Sequence, residues 1–194
     1  MIAILAYGSL IDDSGPEFVI IDRPTVTTPF PVEYARSSRK RGGGPTLIPV
    51  ADGIRVSARL LVLAPGTSIP EAKDKLWRRE TDNTTGTYKP PNPPTPNTVL
   101  IDEHTDFPGY DTVLSTRIAS NITPLTADRL AELAIRSAND RSVARNENGI
   151  SYLQRARDAG VVTRLTNDYE AAILRQTGAS SLEHALQLTY DRNA

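Results

Sequence analysis

The spacing of apolar residues changes along this chain, and that change limits the folds open to it more than any other feature. In the first half, short apolar runs are bounded by Gly, Pro or Asp, which predicts strands over Ile2–Tyr7, Val32–Ser37, Thr46–Val50 and Val56–Leu63. From Arg55 the residues alternate polar and apolar, then become continuously apolar to Leu63, as in a strand passing from a sheet edge into a core. A helix should follow, capped by Ser68, with Pro70 in its first turn, Glu71 near its positive end, and a body running through Leu76 and Trp77 to about Glu80. Further strands are expected around Val99–Ile101 and Thr112–Ile118.

The last third repeats at helical steps. Leu130, Leu133 and Ala134 follow a Thr126 cap; Ile150 and Leu153 open a second helix that Gly160 can close. Tyr169, Ala172 and Ile173 mark a third helix ended by Gly178, and Ser180 to Glu183 reads as the capping box of a short fourth. Strands first and helices afterwards give the α+β class, with a mixed or mostly antiparallel sheet under packed helices. A length of 194 residues suits one domain spanning 1–194.

Composition narrows the function. With 22 basic and 23 acidic residues the chain offers no field of one sign, so a general nucleic-acid binder is not expected. There is no cysteine, which excludes disulfides, thiolate metal sites and a cysteine nucleophile. The two histidines, His104 and His184, are too few and too far apart in sequence for a histidine metal centre, so no metal or cofactor is expected. No nucleophile-elbow sequence supports a Ser-His-Asp triad. No apolar run approaches the roughly 20 residues of a membrane span, and Met1–Ala6 lacks a basic leader, so the expectation is a soluble, cytoplasmic protein.

Three places could carry chemistry. A strand that stops at Tyr7 and turns through Gly8, Ser9 and Leu10 leaves backbone N–H groups without ladder partners, a nest suited to a carboxylate or a developing oxyanion. The same residues also fit an ordinary strand-to-loop turn. Glu80 continues the stripe Ile69, Ala72 and Leu76 at steps of three and four, which puts its carboxylate on the apolar side of a helix. Burial would disfavour its charged form and fit it for general acid–base work, with Arg78 and Arg79 opposing that effect; a solvated surface ion pair is the alternative. The third place is the basic run from Arg36 to Arg41 followed by Gly42-Gly43-Gly44, either an anion-binding loop or a solvated hairpin. No Lys-Ser/Thr follows these glycines, so the run is not a Walker loop. Ser37 and Lys40 have serine–lysine spacing, but on a strand and loop and not at a helix start. The tract Pro90–Pro96 reads as a stiff connector, with partner docking as the other reading.

In this order the segments resemble the gamma-glutamylcyclotransferase-like family. Ala6-Tyr7-Gly8-Ser9-Leu10 is similar to its strand-end signature, Arg41-Gly42 to the arginine–glycine of its glutathione branch, and Arg79-Glu80 with Tyr88 to its catalytic glutamate and following tyrosine. Gly149-Ile150-Ser151-Tyr152-Leu153 looks like a helix start found there. The resemblance implies a compact mixed β-barrel with flanking and C-terminal helices and a cofactor-independent cyclisation of a small γ-glutamyl amine or peptide to 5-oxoproline. It further implies Glu80 as general acid and base, and Tyr7, Gly8, Ser9, Leu10, Arg41, Gly42 and Tyr88 around the substrate. The alternative is a ligand-binding or interaction module on the same scaffold without chemistry.

Overall fold

A computed structural model describes residues 1–144 and 146–191. The chain divides into two compact units, one formed by Met1–Thr28 with Ser57–Ala119 and the other by Pro29–Val56 with Ser120–Ala194. Both carry strands and helices, so the α+β class holds. Among the described residues no helix is long and apolar enough to cross a membrane.

The first unit is built on one sheet. Its strands are β1 (Ile2–Ala6), β2 (Ile20–Asp22), β3 (Thr25–Thr27), β6 (Ser57–Leu63), β7 (Leu100–His104) and β8 (Thr112–Arg117), in the order β2-β6-β1-β8-β7 with β3 also paired to β6. β1 runs antiparallel to β6, with Ile4 opposite Leu61, and parallel to β8, with Ile4 opposite Leu114. The sheet is therefore mixed, as the sequence implies, but it is open. β2 and β7 end it, so the closed barrel expected from the family resemblance does not form among the described residues.

Helix α1 (Ile69–Thr81) begins where the sequence places it, with the Ser68 hydroxyl accepting from the Glu71 amide at 3.3 Å and Pro70 in the first turn. Its Ala72 and Leu76 pack against Ile4, Ala6, Leu61, Leu63 and Leu114. Full burial of a leucine such as Leu76 contributes about 2 kcal/mol. The alternate residues Ala3, Leu5, Leu60, Val62 and Val113 are also buried. The middle of the sheet is thus dry on both faces, which is why Leu60–Leu63 reads as an unbroken apolar run.

The second unit pairs β4 (Val32–Ser38) with β5 (Gly44–Pro49) in a two-stranded antiparallel sheet. Helices α2 (Ala127–Asn139), α3 (Gly149–Asp158), α4 (Thr166–Thr177) and α5 (Leu182–Asp191) complete it, with α2 and α3 against β5. The first-half strands thus belong to two sheets and not one. The Thr126 cap is present, its hydroxyl accepting from the Arg129 amide at 3.3 Å, and Gly178 closes α4. The fourth C-terminal helix is capped by Ser181, whose hydroxyl takes the His184 amide at 3.1 Å, and not by a Ser180–Glu183 box.

Two short strands were not expected. β2 and β3 have three residues each, too few for a period of two to register, and they form only because β6 offers them an edge.

Candidate functional site

The Tyr7–Leu10 turn is held from three sides. The Tyr7 hydroxyl donates to the Thr116 carbonyl at 3.1 Å. The carbonyls of Gly8 and Ser9 accept from the amides of Ile11 at 3.0 Å and Asp13 at 2.9 Å. Leu10, 6% exposed, anchors the turn in the core beside α1. Among the described residues the amides of Gly8, Ser9 and Leu10 make no hydrogen bond, as the interruption of the strand at Ala6 suggests. Unpaired amides in a half-buried turn are costly unless water or a ligand meets them.

Glu80 lies in the last turn of α1, which Asp82 closes in the left-handed region at φ 55°. Its side chain is 23% exposed, so it neither joins the core nor projects into bulk water. The Arg79 Nη1 donates to its Oε1 at 2.7 Å. The Arg79 Nη2 donates to the Ser9 hydroxyl at 3.1 Å and to the Asp13 carbonyl at 2.7 Å. One guanidinium therefore spans from the Tyr7–Leu10 turn to the Glu80 carboxylate. Gly15 supports it, because the loop passes so near that a Cβ there would stand 3.2 Å from the Arg79 Cγ.

Arg78 is engaged elsewhere. It bonds both Glu17 oxygens and the Gly86 carbonyl, and its hydrogen bond holds the Glu17 carboxyl below the usual range. The sequence names both arginines as neighbours of Glu80, but the fold gives that place to Arg79 alone. The Asp13 carbonyl, a support for Arg79, is a group that sequence reasoning misses. Backbone groups carry no residue-type signal.

Tyr88 belongs to the same unit and packs on the α1 core. Its amide donates to Asp74 on α1 at 2.7 Å and its hydroxyl accepts from the Ile101 amide at 2.9 Å, so it fastens the following tract to α1 and β7. Residues 89–97 beyond it are exposed.

Arg41 and Gly42 lie in the second unit. Arg41 is 8% exposed, donates to the Glu147 carbonyl at 2.9 Å and stacks 4.5 Å above the Tyr152 ring. Gly42 sits at φ 56° and Gly43 at φ 86°, while a Cβ on Gly44 would stand 2.8 Å from Gly149. The glycine run is accounted for by the turn and by the close approach of α3 to β5. Ser137 ties these pieces by donating to the Arg41 carbonyl and accepting from the Gly149 amide.

A cavity of about 250 Å³ lies among Phe18, Val19, Leu63, Pro65, Thr67 and Glu71. It opens at the end of β6 that pairs with the start of β1, whereas the Tyr7 turn leaves the other end of β1. It is not part of the Arg79–Glu80 constellation.

Fold and site together define an α+β protein whose first unit links the turn after β1, through the Ser9 hydroxyl and Arg79, to the Glu80 carboxylate. No protein-family model matches the chain, and neither does any curated protein.

Proposed function

We propose that the first unit is a gamma-glutamyl cyclotransferase of the gamma-glutamylcyclotransferase-like kind. The observation that carries this reading is the Arg79 bridge to the Glu80 carboxylate from the Ser9 hydroxyl, in the turn whose Gly8, Ser9 and Leu10 amides are unpaired. On this reading the turn's amides serve as the oxyanion cradle and Glu80 as the proton carrier, the two groups that an intramolecular acyl transfer requires. The kinship rests on this site and not on a barrel.

In the reaction, Glu80 takes a proton from the substrate α-ammonium, and the freed α-nitrogen attacks the γ-carbonyl carbon. The carbonyl oxygen becomes the oxyanion and accepts hydrogen bonds from the Gly8, Ser9 and Leu10 amides. The bond from that carbon to the amide nitrogen then breaks. Glu80 carries the two protons lost by the α-nitrogen, one after the other, to the leaving nitrogen, which departs as an ammonium. The products are 5-oxoproline and the amine or amino acid. No water, metal or redox partner enters the balance.

Mass-spectrometric detection of 5-oxoproline across a panel of γ-glutamyl amines and peptides tests the proposal, with Glu80→Gln as control. Release by the parent chain and a loss of at least about a hundredfold in the variant are expected. Equal release by both would refute it. The Arg79–Glu80 ion pair favours one second reading, a module that binds γ-glutamyl compounds and does not convert them. Saturable binding of the panel with no 5-oxoproline would select that reading.

A further inference from the structure

Resting on the reading above, we propose that Arg78 is a positioning residue for the site: by clasping Glu17 it holds the loop between the Tyr7 turn and β2 against α1, so that Ser9 and Asp13 stay in reach of Arg79. The clasp is forked. The Arg78 Nε donates to Glu17 Oε1 at 2.9 Å and to Oε2 at 3.0 Å, and its Nη2 donates to Oε2. A charge-assisted contact of this kind fixes direction as well as distance.

Arg78 is itself set independently of that loop. Its Nη1 donates to the Gly86 carbonyl at 2.8 Å, and Gly86 lies so near Trp77 that a Cβ there would stand 3.3 Å from the indole ring. The loop has little else to hold it. Between Ser14 and Phe18, among the described residues, Glu17 makes the only hydrogen bonds to other parts of the unit. The Gly15 amide turns inward, donating to Asp13 Oδ1 at 3.0 Å. Arg79 takes the loop only at Ser9 and Asp13.

The clasp also sorts charges. Pairing Arg78 with Glu17 leaves Arg79 to Glu80. Without Arg78, the Glu17 carboxylate is released close to Asp13 and competes with Glu80 for the neighbouring guanidinium. The side chains of the clasp are 15% and 36% exposed, and a pair so placed contributes little to folding. Its effect is on geometry. A small displacement of the turn whose amides meet the oxyanion lowers turnover far more than it lowers stability.

Glu17→Ala in the full chain removes the clasp and leaves the Arg78–Gly86 bond in place. It should lower kcat for 5-oxoproline release by at least about tenfold, change KM far less, and barely move the thermal midpoint. Amide hydrogen exchange in residues 9–17 should quicken by at least about tenfold while β1 stays protected. Arg78→Met should act in the same way, the double variant should be no worse than the poorer single one, and Arg78→Lys should recover part of the loss. Lys73→Met breaks the Lys73–Glu103 pair on the same helix and should leave every readout unchanged. Unaltered loop exchange in Glu17→Ala overturns the inference, as does an equal effect from Lys73→Met. If the parent releases no 5-oxoproline and Glu17→Ala still loosens the loop, the cyclotransferase reading fails and the clasp stands. If the parent is active and kcat is untouched by Glu17→Ala, the clasp fails as a positioning device and the reading stands.

Discussion

Glu33 in the second unit and Glu80 in the first are both carboxylates on regular elements, and their surroundings give them opposite capacities. Glu33 is fully buried on β4. Its Oε1 accepts from the Tyr34 amide at 2.9 Å and the Thr163 hydroxyl at 2.5 Å, and its Oε2 from the Leu165 amide at 3.1 Å. Three neutral donors close it off, and it fastens the chain entering α4 to the hairpin. Glu80 has one oxygen bound and one open, at the edge of a loop whose amides are unpaired. A buried carboxylate with donors on both oxygens is a structural anchor; one with an oxygen open in partial shelter has the capacity the proposed function asks of Glu80.

The sharpest way to break this contrast is to neutralise each carboxylate in turn. Under the proposed function, Glu80→Gln should cut 5-oxoproline release by about 10²–10⁴-fold and leave the thermal midpoint nearly unchanged. Glu33→Ala should do the converse. It strands the Tyr34 and Leu165 amides and leaves the Thr163 hydroxyl only Thr166 as a partner, so chemical denaturation should show a loss of about 3 kcal/mol. A large activity loss from Glu33→Ala in protein that remains folded, or a stability loss from Glu80→Gln, would erase the distinction.

Alkaline pH probes the second unit through two buried phenols. Burial pushes both Tyr34 and Tyr169 well above the ordinary phenol range, and they lie edge to face with ring centroids 5.3 Å apart. In the unfolded chain they titrate near pH 10. Both groups therefore favour the native state fully below about pH 10, and that contribution declines as pH rises beyond it, because the unfolded chain then releases protons the folded one keeps. Absorbance titration of the seven tyrosines should leave a resistant fraction until the protein unfolds.

The smallest effects compare hydroxyls. Those of Tyr34 and Tyr169 are buried with no hydrogen bond among the described residues, the nearby Thr166 hydroxyl offsetting only part of the Tyr34 desolvation. Tyr34→Phe and Tyr169→Phe should be neutral or stabilising by up to about 1 kcal/mol. Tyr88→Phe should cost about 1 kcal/mol, since the Ile101 amide loses its acceptor. Urea midpoints of the three variants measure the difference.

Much of this was legible in advance where the cause is local. The Ser68 cap, the Pro70 start and the Thr126 cap depend on residues within one turn of each other, and all stand where the sequence puts them. The Ala72–Leu76–Glu80 stripe is a matter of helical period; its first two residues are buried in the core and Glu80 lies half-sheltered at its end. Glu33 escaped notice because an acid in the run Val32-Glu33-Tyr34-Ala35 shows no sign of the Thr163 and Leu165 donors that lie some 130 residues away in the chain. Arg41-Gly42 resembled a substrate loop, yet its surroundings in the second unit come from Glu147, Tyr152 and Gly149.

The sequence by itself determined the α+β class, the position of α1 and the interruption of the first strand at the Tyr7 turn, because period, caps and turn residues act over short distances. Only the tertiary structure decided that the strands divide between two sheets and that the larger sheet stays open. It also decided which arginine reaches Glu80. Two adjacent arginines on one helix turn are equivalent by pattern; Glu17 draws off the first and Ser9 with Asp13 orients the second, and those partners are brought in from a loop more than 60 residues earlier.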